Sequence, residues 1–195
     1  MPASPARKEM LDAETYLQGE AAAQVRHEYV DGSVYAMAGA NERHNRIALN
    51  IAFHLRAAAR GTACGVFISD MKLRVEAHNA FYYPDVLLTC AVDDREELYK
   101  SSPCLVVEVL SDNTELIDRR EKLISYRTLP SLQSYLLVNQ NSRLVEHYRR
   151  TETGWQYLVH ENDGQLVLSC GELNIQLNLA DIYEDVALPD AGNLL

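Results

Sequence analysis

The stretch CLVVEVLSDNTELIDRREKLISYRTLPSLQSYLLVNQ constrains the fold most, because two short apolar runs flank one helical pattern. Each run has the length of a strand buried on both faces. The helical pattern between them must end near Leu129, since Pro130 follows and cannot continue a helix. A helix that connects two buried strands favours a parallel pair with a right-handed crossover. The sequence therefore predicts an α/β or α+β fold with a mixed central sheet.

The remaining patterns add helices and strands on both sides of this unit. A short helix is predicted roughly from Lys8 to Gln18, a hairpin at HEYVDGSVYAMAG with its turn at Asp31-Gly32, and a longer helix from the cap Asn41 to about Arg60. CGVFIS, MKLRVE and FYYPDVLLTC are strand-like, and RLVEHYRR, GWQYLVHE, QLVLS and LNIQLNL predict extra antiparallel strands at the C-terminus. We expect one domain over residues 1–195, with its core roughly at 11–186 and loose tails at MPASPAR and LPDAGNLL.

Charge, targeting signals and cysteines restrict where such a chain works and what it binds. The chain has 18 lysine and arginine residues and 28 acidic residues, so its net charge is −10. The electrostatic field of the whole molecule therefore repels DNA, and binding would require a local basic groove. No apolar run approaches the roughly 20 residues of a membrane span, and the first twenty residues lack a secretory signal. The four cysteines form no CxxC pair. We therefore predict a reduced, cytoplasmic protein with free cysteines that act as small apolar residues.

Two acids occupy settings that suggest chemistry. Asp85 begins a strand directly after Pro84, and Glu108 lies inside the apolar run CLVVEVLS. A buried carboxylate is costly unless it is paired or bound to a metal. Two such acids on adjacent strands can share one divalent cation, which polarises a phosphodiester and activates water, and the Val109 carbonyl is a further oxygen ligand. The alternative is a structural acid paired with a base. A second Pro-Asp dipeptide, Pro189-Asp190, lies in the predicted tail with no strand around it, so this dipeptide alone does not indicate a site.

Together these stretches resemble a known family. HEYVDGSVYAM, the helix that contains His44, YYPDVLL, LVVEVLSDNT, DRREKLISYRTL and SYLLVN are similar to the Uma-two family of restriction-type endonucleases, within the PD-(D/E)XK nuclease superfamily. The resemblance covers roughly Leu11 to Val186. It implies a restriction-endonuclease-like mixed central sheet flanked by helices and an endonuclease site that hydrolyses DNA with Mg²⁺, or Mn²⁺ as a substitute. It assigns the family's aspartate to Asp85 and its glutamate to Glu108.

The catalytic lysine of the wider superfamily is missing from its usual position, because Leu110 stands two residues after Glu108. Lys122 is the natural substitute, on the next helix along the chain. We expect it to border a buried stripe and to reach inward along its stem, so that its removal would scarcely change stability. The alternative is an exposed lysine paired with Asp118. The stripe is predicted from helical spacing as Leu116, Ile117, Leu123 and Ile124.

Two accessory residues and two functions remain open. The resemblance brings Glu28 near the same site, and His44 could contact a phosphate or a metal-bound water; the alternatives are a solvent-facing acid and a surface histidine. The leading hypothesis is a magnesium-dependent endonuclease with Asp85, Glu108 and Lys122 as catalytic residues, and we expect a homodimer if both strands are cut. The other is a binding or scaffold protein that retains the nuclease fold. The sequence contains no motif of a hydrolase with a nucleophilic serine or cysteine.

Overall fold

Thirteen strands are present in the part of the chain that the computed structural model describes, residues 10–37, 39–111 and 114–189. The predicted N-terminal tail and most of LPDAGNLL lie outside these ranges. The strands are β1 (His27–Val30), β2 (Ser33–Ala36), β3 (Gly65–Ile68), β4 (Lys72–Val75), β5 (Ala80–Tyr82), β6 (Val86–Thr89), β7 (Tyr99–Lys100), β8 (Leu105–Leu110), β9 (Ser134–Asn139), β10 (Leu144–Thr151), β11 (Gly154–Glu161), β12 (Gln165–Cys170) and β13 (Leu173–Asn178).

The strands form three sheets. A five-stranded sheet has the order β2-β1-β5-β4-β7, a six-stranded sheet has the order β11-β10-β9-β8-β6-β3, and β12 pairs with β13 alone. In the six-stranded sheet β8 and β9 are parallel, whereas β8 and β6 are antiparallel. The mixed sheet and the parallel pair joined through a helix confirm the predicted fold class. The four C-terminal strands pair as antiparallel hairpins, as predicted.

The helices differ from the predictions mainly at their ends. The first begins later than expected, because the Asp12 side chain caps it by accepting a hydrogen bond from the Thr15 N–H at 2.7 Å. Asn41 caps the second helix as predicted, through the His44 N–H at 3.0 Å. No helix within the described residues is long and apolar enough to cross a membrane. The helices are α1 (Ala13–Ala21), α2 (Glu42–Ala58), α3 (Glu115–Ile117), α4 (Leu123–Arg127) and α5 (Leu179–Ile182), with a π-helical turn (Asp118–Lys122) that joins α3 to α4.

The run FYYPDVLLTC, predicted as one strand, divides into two that belong to different sheets. β5 pairs with β4 and β1 in the five-stranded sheet, whereas β6 pairs with β3 and β8 in the six-stranded sheet. Pro84 lies at the break, and its missing N–H prevents it from donating to a ladder. Asp85 therefore follows the crossing from one sheet to the other and precedes β6.

The central strand β8 separates two apolar clusters. Leu105, Val107 and Val109 pack with α2, α5 and the β12–β13 hairpin on one face. Val106 and Leu110 pack on the other face, in a cluster that includes Tyr82 of β5 and Tyr126 of α4. Because side chains alternate along a strand, Glu108 shares the second face. The sheet therefore directs one carboxylate into the space between itself, α4 and the five-stranded sheet.

The prediction of free cysteines is wrong in this structure. Disulfides join Cys64 to Cys90 and Cys104 to Cys170. The sequence spacing concealed the pairs, which are 26 and 66 residues apart and meet only because β3, β6, β8 and β12 end near one another. The second bridge ties the C-terminal hairpin to the residue that precedes the central strand.

Candidate active site

Asp85 lies beside the central strand, and both of its carboxylate oxygens have protein partners. β6 pairs with β8 so that Val86 faces Val107, which brings the preceding Asp85 to the level of Glu108 and Val109. Its Oδ2 accepts a hydrogen bond from the Val109 N–H at 2.7 Å. Its Oδ1 lies 2.8 Å from Nε2 of His44, in the first turn of α2. Two predicted site residues from separate elements thus meet directly.

Glu108 is buried, with 3% of its surface exposed, among polar groups from the following helix. Its Oε1 accepts hydrogen bonds from Nζ of Lys122 at 3.1 Å and from the hydroxyl of Tyr126 at 2.8 Å. Burial raises the pKa of the Glu108 carboxyl well above its usual value; the charge of Lys122 opposes this shift, and Asp118 and Asp85 add to it. A bound cation would favour the ionised form of this carboxyl.

Lys122 is the centre of the cluster. Its Nζ lies 3.0 Å from Glu28 Oε1, 3.1 Å from Glu108 Oε1 and 3.2 Å from Asp118 Oδ1. Burial disfavours the ammonium, but the attraction of these carboxylates prevails and raises the Lys122 pKa well above its usual value. The lysine is therefore a permanent positive charge at neutral pH.

The helix that carries Lys122 buries the side of Asp118 and Lys122, whereas the apolar side was predicted to be buried. Leu116, Ile117 and Ile124 are exposed, while Lys122 is only 5% exposed and does not merely border a buried surface. The ion pairs of Lys122 with Glu28, Glu108 and Asp118 account for the difference, since they compensate for burying polar side chains.

Glu28 reaches the cluster from the five-stranded sheet. It lies on β1, and its Oε1 both contacts Lys122 and accepts a hydrogen bond from the Tyr83 N–H at 3.2 Å. The site therefore draws on both large sheets, α2 and the helix after β8. Glu28, Glu108 and Lys122 are in direct contact, and the pair of Asp85 and His44 adjoins them through the Val109 N–H.

Two residues of the cluster were seen in the sequence as neighbours of Lys122 on its helix but were not predicted as site residues. Asp118 is a third carboxylate on Lys122, and Tyr126 donates to Glu108. The spacing of Asp118, Lys122 and Tyr126 at i, i+4 and i+8 was a usable signal, because such residues share one side of a helix. The hydrogen bond from the Tyr83 N–H to Glu28 could not be predicted, since every residue except proline has a backbone N–H and the sequence does not show which one donates.

The cluster has the chemistry of a hard-cation site. Three carboxylates, those of Glu28, Glu108 and Asp118, contact a single lysine, Asp85 lies beside them at the Val109 N–H, and oxygen donors are what Mg²⁺ and Mn²⁺ prefer. Asp118 Oδ1 is buried and accepts no hydrogen bond within the described residues, although Nζ of Lys122 lies 3.2 Å away. An excess of buried negative charge with an unsatisfied oxygen fits a divalent cation.

Comparisons with known proteins agree with this architecture. Two proteins from Synechocystis sp. are similar along most of the chain: one named "Uncharacterized protein slr1290" is 35% identical over 188 residues, covering 95% of this chain and 97% of that protein. The other, named "Uncharacterized protein sll1609", is 34% identical over 148 residues, covering 74% of this chain and 84% of that protein.

A crystal structure from Anabaena variabilis, described as a "putative nuclease belonging to DUF820", shares the fold. Its TM-score is 0.67 at 15% sequence identity, over 83% of this chain and 91% of that one. Residues 13–180 match the Uma2 family, which is described as "Putative restriction endonuclease". This protein therefore belongs to the Uma2 family.

Proposed function

We propose that this protein is an endonuclease that hydrolyses DNA phosphodiester bonds with Mg²⁺, or with Mn²⁺ in its place. The observation that carries the proposal is the buried contact of Glu108 with Lys122, beside which Asp85 accepts a hydrogen bond from the adjacent Val109 N–H. The family's description and the shared fold support it. The acidic net charge of −10 argues for a local contact with the substrate backbone and against long-range attraction.

Asp85 and Glu108 would hold the metal, with the Val109 carbonyl as a further ligand. Asp85 is anchored by the Val109 N–H and by His44, which limits the positions that its carboxylate can take. The hydrogen bonds to Glu108 end on Oε1, and within the described residues none reaches Oε2. When bound, the cation supplies a Lewis acid that polarises the phosphate and lowers the pKa of a coordinated water.

Lys122 provides the fixed positive charge that phosphodiester hydrolysis needs. Its ammonium has three donors and can orient a water or stabilise the charge that develops on the phosphate. Tyr126 holds Glu108 in place and leaves the lysine donors free to exchange partners. Glu28 and Asp118 balance and position the lysine. In this scheme His44 positions Asp85.

One observation favours the alternative, a binding or scaffold protein that retains the fold. Lys122 is surrounded by carboxylates, and both Asp85 oxygens are bonded within the protein, so the cluster satisfies much of its own charge. Such a cluster could persist as a structural feature. The two functions differ in metal affinity and in strand cleavage.

Nicking of supercoiled plasmid with Mg²⁺, with Mn²⁺ and with a chelator is the direct test. We expect cleavage only with metal, and a rate at least about 100-fold lower for Lys122→Ala, the usual loss when an electrostatic donor is removed. Asp85→Asn and Glu108→Gln should abolish cleavage and weaken Mn²⁺ binding measured by calorimetry. Glu152→Gln is the matched control, because Glu152 is exposed in the turn between β10 and β11.

Folded wild-type protein that binds neither ion and leaves plasmid, linear duplex and single-stranded DNA intact would overturn the proposal in favour of the alternative. Cleavage that survives Asp85→Asn and Glu108→Gln would place the chemistry elsewhere. Circular dichroism of each variant separates these outcomes from unfolding.

A further inference from the structure

The four cysteines converge at the end of β6 opposite Asp85. Cys64 precedes β3, Cys90 follows β6, Cys104 precedes β8 and Cys170 ends β12, so four separate segments each contribute one sulfur. Asp85 and Cys90 are five residues apart along β6, which is about 16 Å of strand. The cysteine cluster is thus distinct from the acidic cluster around Lys122.

The two disulfides lie against each other. Sγ of Cys90 is 3.2 Å from Sγ of Cys170, although these two residues belong to different bridges. The sulfurs of Cys90, Cys104 and Cys170 all lie within 4.8 Å of one another, and Cys64 is bonded to Cys90. Two independent structural disulfides have no need to be in contact. Three sulfurs within 4.8 Å of one another, with a fourth bonded to one of them, have the arrangement of a ligand set.

The geometry and the donor type indicate zinc. Four thiolates about 2.3 Å from a tetrahedral zinc ion are about 3.8 Å apart. The sulfurs of Cys90 and Cys170 are 3.2 Å apart, and those of Cys90, Cys104 and Cys170 lie within 4.8 Å of one another. Sulfur ligands select soft or borderline ions such as Zn²⁺ and disfavour Mg²⁺. Cys104 and Cys170 are buried in the apolar cluster of β8, whereas Cys64 and Cys90 are half-buried at its edge. An ion can therefore enter from the side of Cys64 and Cys90.

We propose that the reduced protein binds one Zn²⁺ through Cys64, Cys90, Cys104 and Cys170, and that oxidation to the two disulfides releases it. A dithiol reductant supplies two electrons and two protons to each bridge and itself becomes a disulfide. The resulting thiols lose their protons to solvent as zinc binds. In the reverse direction, a small disulfide oxidant takes two electrons from each thiolate pair and the ion leaves.

The consequence concerns the C-terminal hairpin. In the oxidised state the Cys104–Cys170 bridge connects β12 to the central strand. In the reduced state the zinc ion would make the same connection and would add Cys64 and Cys90 to it. The hairpin would then stay attached to β8 in both redox states.

Zinc stoichiometry of the full chain is the test. The protein is reduced with a phosphine, mixed with one equivalent of zinc, desalted and measured by elemental mass spectrometry. We expect one zinc per reduced chain and none after oxidation with a small disulfide. Cobalt in place of zinc should give the visible bands of a tetrahedral ion and sulfur-to-cobalt charge transfer.

Variants locate the ion. Cys90→Ser and Cys170→Ser should each lower zinc affinity at least about 100-fold, whereas the double variant Asp85→Asn, Glu108→Gln should keep its zinc. Reduced wild-type protein that retains no zinc, or a cobalt complex without charge-transfer bands, would overturn the proposal and leave two structural disulfides. Zinc lost in the double variant but kept in both serine variants would assign the metal to the acidic cluster. The wild-type measurements decide even where a serine variant does not fold.

Discussion

Lys122 and His147 are buried basic residues on opposite faces of the six-stranded sheet, and the structure gives them different charge states. Burial disfavours the charged form of both. Lys122 meets carboxylates, which raise its pKa, whereas His147 meets Ser134 and His160, and its pKa falls to about 4. Depth in the protein is similar, 5% and 1% exposed, so the neighbours determine the charge.

The largest expected effect on stability is on the face of the six-stranded sheet that carries Lys122. Lys122→Met leaves buried carboxylates without their cation, and we expect the free energy of unfolding to fall by about 3–5 kcal/mol. The burial of Lys122 thus replaces the expectation that its removal would scarcely change stability. Saturating Mg²⁺ should increase the free energy of unfolding more in this variant than in wild type, because the bound ion then replaces the lysine in neutralising the acids.

Urea denaturation with and without Mg²⁺ measures both effects. Lys100→Met is the matched control, since Lys100 is also buried but donates to the backbone carbonyls of Asp94 and Glu96. It should show no Mg²⁺-dependent recovery. Equal recovery in the two variants would mean that the acids around Lys122 bind no cation.

The neutral face should respond to pH. His147 has a folded-state pKa of about 4 against about 6.5 when unfolded, so between these values the unfolded chain binds a proton that the folded chain does not. Its contribution to stability is therefore complete above pH 6.5 and is lost as the pH falls towards 4. The full loss is about 3 kcal/mol, from about 1.4 kcal/mol for each pH unit.

Unfolding free energies at pH 7, 6, 5 and 4 measure this slope. His147→Gln should reduce the loss of unfolding free energy between pH 7 and pH 4 by about 3 kcal/mol. His78→Gln, at an exposed position, should leave this loss unchanged. Parallel pH curves for wild type and His147→Gln would show that His147 is not protected from protonation, and the contrast between the two faces would then fail.

The smallest effect tests the link between α2 and the acids. His44→Ala removes the contact of Nε2 with Asp85 Oδ1, and we expect Mn²⁺ affinity to fall about tenfold, as for other residues that orient a metal ligand. His54→Ala, farther along the same helix, is the control. Calorimetry that finds the same affinity for both variants would remove His44 from the site.

The sequence predicted those parts of the molecule that depend on local pattern. The parallel β8–β9 pair, the turn at Asp31-Gly32 and the cap at Asn41 followed from apolar runs, positive φ and side-chain capping. The turn and the cap are each decided by residues within a few positions of one another, and the parallel pair by two apolar runs with a helix between them.

The errors arose where distant segments meet. The inward side of the helix after β8 depends on Glu108 and Glu28, which lie 14 and 94 residues from Lys122. The cysteine pairs likewise depend on how strand ends meet. For the acids the pattern sufficed to name Asp85 and Glu108 as candidates, because a carboxylate in or beside an apolar strand is unusual on its own. The pattern alone did not decide which side chains meet these acids, and Lys122, Glu28 and His44 were candidates chiefly because of the family resemblance.

The π-helical turn Asp118–Lys122 lets this part of the chain absorb a change of one residue in length. Such turns contain one residue more than an α-helical turn, as a single-codon insertion would produce. Arg120 is exposed, so its replacement should be well tolerated during evolution. Loss of its codon would narrow the turn to an α-helical one, and the residues after it would keep nearly the same direction relative to Asp118. Lineages that keep this lysine can therefore differ by one residue in the length of the segment.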